Sequence, residues 1–277
     1  MSNLSVSSKG VIVCADDFAV HAEASRAIAE LAQRGRISAT SAMVLSARWP
    51  QDAALLQALR GRIDVGLHLD WTSDFALTCG HGISLPAAML KAALGGFGRG
   101  SALAATRAVV ERQLDAFEAQ WKAPPDHVDG HQHVHQFAGI RDALVQALVD
   151  RYGGRAGRLP YLRISRAPSG HADMKSRVIA TMGAGALERI ATSAGLKVSA
   201  ALLGIYDFAA DPARYARLMQ GWLDAAPVGS IIMCHPGQAV ARGDPIGGAR
   251  AQEFAYLGGA QFAAALARAE VQLLRGS

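Results

Sequence analysis

With 277 residues, 51% hydrophobic and 18% charged, the chain is too apolar for a disordered protein, yet no run reaches the roughly 18 uninterrupted apolar residues of a membrane span. That length fits one large α/β domain or two small ones around a sizeable core. The formal charge of +5 and pI near 9.4 come from arginines scattered through helical segments, with no Lys/Arg block and no interleaved aromatics, so nucleic acid is not indicated as a partner.

Residues 1–10 are Ser-rich, lack the apolar core of a signal peptide, and read as a short disordered lead into a cytoplasmic protein. Val11 to Ala15 is a continuous apolar run that stops at Asp16-Asp17, as expected of a buried parallel strand whose C-terminal end meets a polar site. A helix is predicted over 24–33, a second strand over 39–45, a helix over about 51–60 and a third strand over 63–69. Between 70 and 100, Gly, Pro and Ser interrupt short apolar pieces, a pattern suited to a substrate-facing lid or rim with one helix near 86–93. Residues 104–121 form a strongly amphipathic helix in which Val110, Leu114, Phe117 and Trp121 share one face.

The stretch from Asp126 to His135 then holds four of the nine histidines, His127, His131, His133 and His135, beside the carboxylate of Asp129. Imidazole suits transition metals and proton transfer near neutral pH. A helix over 140–152, a short strand over 162–164, a long helix over about 174–194 and a strand over 200–205 follow. A helix over 212–225, a buried strand over 228–234 ending at His235-Pro236-Gly237, a Gly-rich loop to Gly248 and a helix over about 252–269 complete the pattern. The three cysteines, Cys14, Cys79 and Cys234, make an odd set without a Cys-x-x-Cys pair, which fits a reducing compartment.

Alternating strands and helices imply a parallel sheet, and six or seven such units favour a closed or distorted TIM-like (β/α) barrel, one α/β domain over residues 11–277. In such folds chemistry collects at the C-terminal ends of strands, where Asp16-Asp17, His68, Asp129-Gly130-His131 and His235 all fall. Asp17, His68 and His131 would offer one oxygen and two nitrogens to a divalent metal ion and leave positions open. Asp16 is the natural general base and His235 the natural donor to a leaving group. Taken singly, each has a structural alternative: a helix cap for the Asp pair, a backbone-bonded core imidazole for His68, turn chemistry for His235. Only their joint placement favours a metal site.

The runs Ala15-Asp16-Asp17-Phe18, Val65 to Leu69, Asp129 to His135 and Cys234-His235-Pro236, in this order and spacing, resemble the YdjC-like carbohydrate deacetylase family, which includes chitooligosaccharide deacetylases and relatives associated with hopanoid synthesis. The resemblance covers roughly Val11 to Leu257. It implies a distorted barrel that hydrolyses N-acetyl groups from amino sugars with one divalent metal, Mg2+ or Zn2+. Matched by motif, Asp17, His68 and His131 would be the ligands, Asp16 the base and His235 the proton donor. Asp129 would orient a ligand or close the pocket, and Arg163 would hold a carboxylate in place. In an extended segment His131, His133 and His135 point to one side, so the latter two would line the pocket or touch substrate. One departure stands out: the family usually has Gly after the Asp-Asp-Phe run, where this chain has Ala19, a strained choice if that position needs φ > 0.

Two other readings use the same residues. One is a metal-dependent phosphoesterase or amidohydrolase, although those enzymes usually carry their His-x-His pair on the first strand. The other is a non-catalytic sugar-binding protein on the same barrel. The expected partners are an N-acetylated sugar and, as the commonest assembly of soluble enzymes, a second copy in a homodimer.

Overall fold

The computed structural model describes residues 8–154, 159–209 and 211–277. Of the expected N-terminal lead, residues 1–7 lie outside the described residues, and Lys9 and Gly10 open the first strand. The sheet is wholly parallel. Its strands are β1 (Lys9–Phe18), β2 (Ala39–Ala42), β3 (Asp64–Leu69), β4 (His127–Gly130), β5 (Tyr161–Leu162), β6 (Leu202–Leu203), β7 (Ile231–Cys234) and β8 (Val271–Leu273). They lie in the order β5-β4-β3-β2-β1-β7-β6, with β8 beside the first residues of β1.

The sheet curls until its edges meet. The N–H of Leu162 donates to Lys197 O at 3.0 Å, Ser199 N–H donates to Leu162 O at 2.9 Å, and Leu202 N–H donates to Arg166 O at 2.8 Å. These bonds join β5 to the segment entering β6, which makes a distorted TIM-like barrel in a single α/β domain. β1, with β2, β7 and β8 bonded along it, is buried from Gly10 onward, which explains its unbroken apolar run.

Helices wrap the outside: α1 (Ala22–Gln33), α2 (Trp49–Asp52), α3 (Ala54–Gln57), α4 (Asp74–Thr78), α5 (Leu85–Ala93), α6 (Ser101–Trp121), α7 (Ile140–Tyr152), α8 (Met174–Thr181), α9 (Ala184–Ser193), α10 (Pro212–Ala225), α11 (Gly247–Gly258) and α12 (Ala260–Arg268). α6 buries its predicted face, Val110, Leu114, Phe117 and Trp121, and α7 covers the span predicted for it. No helix among the described residues is long and apolar enough to cross a membrane.

Several elements differ from the sequence reading, each for a local reason. The long helix expected over 174–194 is two, because Gly183 sits at φ 134° and its α-carbon lies so close to Gln136 O that a Cβ there would stand 2.1 Å from it. The loop over 70–100 carries α4 as well as α5. Asp70, fully buried, accepts from the N–H groups of Thr72 and Ser73 at 3.0 Å each, and Ser73 caps α4. The last predicted helix breaks at Gly258-Gly259 into α11 and α12, and α11 begins five residues before its expected start. β8, only three residues long, went unpredicted.

Candidate active site

β1 pairs with β2 as Ala15 with Thr40 and Phe18 with Ala42, so Asp16 and Asp17 together stand opposite Ser41 alone. Two residues against one make a β-bulge, which breaks the alternation that would send neighbouring side chains to opposite faces. Asp17 takes φ 66° and Ala19 φ 72°, both left-handed. Both carboxylates are thereby delivered to the C-terminal mouth of the barrel, and both are buried.

Asp17 Oδ1 lies 3.4 Å from His68 Nε2 and 3.3 Å from His131 Nδ1. His68, near the end of β3, meets Asp129 Oδ1 through Nδ1 at 2.7 Å. With the Nδ1 proton donated to Asp129, Nε2 is the nitrogen presented to Asp17. Ser41 Oγ stands 3.1 Å from the same Nδ1. The other oxygen of Asp17, Oδ2, accepts from Arg250 Nη2 at 2.7 Å, and Oδ1 is left buried without a hydrogen-bond partner among the described residues. An orphaned carboxylate oxygen between two imidazole nitrogens is a donor set that fits a divalent cation. His131, 24% exposed, marks its open side.

Arg163, fully buried just after β5, places Nη1 2.8 Å from both oxygens of Asp16 and 2.9 Å from Asp129 Oδ2. One guanidinium thus ties Asp16 to the carboxylate that orients His68. His235, just after β7, has Nε2 3.9 Å from Asp16 Oδ2, and its ring stands edge-on to Phe208 with centroids 5.2 Å apart.

The electrostatics follow from burial and these pairings. Burial pushes the Asp17 carboxyl upward, but Arg250 and the imidazoles of His131 and His68 hold it well below the usual carboxylate range. Burial likewise disfavours charge on His68, yet Asp129, Asp17 and Asp16 outweigh it and raise the imidazole to about 10. Asp129, buried but facing Arg163 and His68, is held far down. His235 is depressed to about 4 by burial and so is neutral at pH 7.

The His-rich segment is not extended as expected. Residues His131–Gln136 form a 3₁₀ turn with Gln132 and His133 at φ 51° and 62°. The side chains therefore diverge. His131 meets Asp17, His133 Nδ1 lies 3.1 Å from Ser165 Oγ, and the buried His135 places Nε2 2.8 Å from Arg163 O. His127 lies deeper in the barrel, its ring stacked on Tyr161 at 5.1 Å. Gly66 must be glycine for that reason, since a Cβ there would meet the His127 ring at 2.4 Å. Cys14, His127 and Asp129 also cluster. Arg163 already faces Asp129, however, and burial pushes the Cys14 thiol up, against the thiolate a metal requires.

Three site residues escaped the sequence reading: Ser41, Arg250 and Glu253. Glu253, fully buried on α11, accepts from the His235 N–H at 2.5 Å and from the Tyr206 hydroxyl at 2.6 Å. The signal was an Arg-x-x-Glu spacing that sets both charges on one helix face. Starting the helix at 252 hid it.

The family model for YdjC-like proteins matches residues 10–268. A carbohydrate deacetylase of Homo sapiens is 29% identical over 248 residues, which cover 82% of this chain and 74% of that relative. A chitooligosaccharide deacetylase of Proteus mirabilis (strain HI4320) is 32% identical over 137 residues, 47% of this chain and 51% of its own length. Among solved structures, a protein of Enterococcus faecalis V583, provisionally described as a cellobiose-phosphate cleavage protein, superposes with a TM-score of 0.71 over 98% of both chains at 17% identity, a likeness of fold. The family match spans every site residue from Asp16 to Glu253, and the chain belongs to the YdjC-like family.

Proposed function

We propose that the protein is a metal-dependent carbohydrate deacetylase that hydrolyses the acetamide of an N-acetylated amino sugar. The observation that carries this reading is the approach of one nitrogen each of His68 and His131 to within 3.4 Å of Asp17 Oδ1, beside a second carboxylate and a neutral imidazole. The activities named for the human and Proteus mirabilis relatives support it.

A divalent cation held by Asp17, His68 and His131 would supply Lewis acidity for the acetyl carbonyl and for water; two nitrogens and one oxygen suit zinc, with magnesium the second ion to test. Asp16, held in place by Arg163, accepts the proton of the attacking water. His235 starts neutral, so the proton it gives to the departing amine is one received during the reaction, and Asp16 at 3.9 Å is the carboxylate facing it. The water's hydroxyl ends in acetate and its proton on the sugar amine. Phe208, edge-on to His235, gives the leaving-group side an aromatic wall. The three cysteines are free, Cys79 exposed, which suits a reducing compartment such as the cytoplasm.

The test is acetate release from N-acetylglucosamine oligomers, read together with metal content. Asp16→Asn should retain one metal per chain and lose roughly 10²–10⁴-fold in turnover, whereas His131→Ala should lose both. Near-normal turnover in Asp16→Asn would overturn the assignment of the base. Hydrolysis of a phosphate monoester in place of the acetamide would favour the phosphoesterase reading.

A further inference from the structure

Helix α11 carries two charged side chains one turn apart, Arg250 at 4% and Glu253 at 0% exposure. Charges so deeply buried persist only when they are partnered, and each of the two has a partner in the site. Arg250 forks between two carboxylates, with Nη2 2.7 Å from Asp17 Oδ2 and Nε 2.8 Å from Asp244 Oδ2. Glu253 takes the His235 N–H at 2.5 Å. Pro236 has no N–H to offer, and the next donor along the chain, Gly237 N–H, bonds to Arg250 O at 3.0 Å. The turn bearing His235 is therefore fastened to α11 on both sides.

A carboxylate has two equivalent oxygens and can rotate to offer either. By holding Oδ2, Arg250 leaves Oδ1 as the oxygen that faces His68 and His131. We infer that α11 is the positioning element of the site: Arg250 selects the ligating oxygen of Asp17, and Glu253 sets the place of His235 through its backbone, although neither side chain touches substrate. The role given to His235 rests on the deacetylase reading above. The tethers themselves do not.

The experiment uses the full chain with Arg250→Lys and Glu253→Gln, both close in size to the original. Lysine keeps the positive charge, so the coulombic effect on a cation is unchanged, but it loses the planar fork that spans Asp17 and Asp244. Zinc affinity by calorimetry should fall about 10- to 100-fold in Arg250→Lys. Glu253→Gln should leave zinc affinity unchanged. Assayed at about pH 8, where Glu253 is ionised, it should lower kcat for acetate release by roughly 10- to 100-fold with KM unaltered, and it should move the His235 amide proton upfield in a ¹⁵N-histidine-labelled sample as its charge-assisted bond is lost. Wild-type zinc affinity in Arg250→Lys, or an unmoved His235 amide together with wild-type kcat in Glu253→Gln, would overturn the inference. If the wild type releases no acetate from any sugar, the deacetylase reading fails, while zinc affinity and the amide shift still decide the tethers.

Discussion

At position 19 three effects oppose one another. The left-handed backbone, φ 72°, strains any L-residue by about 1–2 kcal/mol. Glycine would relieve that strain, but it adds about 0.4–1 kcal/mol of unfolded-state entropy and removes a fully buried methyl worth about 0.8 kcal/mol. The balance is near zero, which accounts for alanine at this left-handed position. Ala19→Gly should therefore unfold in urea within about 1 kcal/mol of wild type, whereas Ala19→Val, β-branched in the same conformation, should lose more than about 2 kcal/mol. An Ala19→Val protein as stable as wild type would show that the turn does not need its left-handed geometry. The residue identities at this bulge were legible in the sequence as two carboxylates ending a strand. Their joint delivery to one mouth of the barrel was not, because a regular strand would have sent them to opposite faces.

At the scale of elements, the 3₁₀ turn after β4 separates three histidines that an extended strand would have aligned. His135 is fully buried and donates through Nε2 to Arg163 O, the residue whose guanidinium bridges Asp16 and Asp129. Its contribution is to packing and to one carbonyl. His135→Ala should therefore cost about 2–4 kcal/mol of stability, from a cavity plus an unsatisfied acceptor, and should still bind one metal per chain. Loss of metal with unaltered stability would make His135 a ligand instead. Arg250 and Glu253 make the complementary point. A helix well outside the four recognised motifs reaches two strand ends at once, because the barrel brings α11 over β1 and β7 although some 230 residues separate Arg250 from Asp17.

For the whole molecule, buried imidazoles and carboxyls set how stability depends on pH. His135 and His235 are depressed from 6.5 to about 4 by burial. Between those values the unfolded chain binds more protons, so stability falls as pH falls through that window. Glu253, raised by burial from 4.5 to about 7, acts in the opposite sense, because the folded chain holds the extra proton there. His133, likewise held well below 6.5 by burial, acts with them, so three protons outweigh one and stability should decline on acidification below about 6.5. His68 governs the alkaline side. Desolvation lowers its pKa, Asp129 and Asp17 more than offset this, and at about 10 its contribution is complete below 6.5 and is lost as pH rises through 10. With Nε2 committed to a cation that proton is absent. Metal-free protein should melt highest near neutrality and at least about 5 °C lower near pH 9, a loss that zinc-loaded protein should not show. Thermal melts across pH with and without chelator check this.

The sequence by itself determined the alternation of strands and helices, the polar residues that end β1, β3, β4 and β7, and the candidates Asp16, Asp17, His68, His131 and His235. Each of these is a local property: an apolar run, a helical period, or a motif read within a few residues. Only the tertiary structure decided which oxygen of Asp17 is free, that Arg163 joins Asp16 to Asp129, and that His133 and His135 turn away from His131. It also brought Arg250 and Glu253 of α11 into the site. Those outcomes depend on a bulge, a left-handed turn and the closure of the sheet, which are set by contacts between residues far apart in the chain and leave no periodic trace within any one segment.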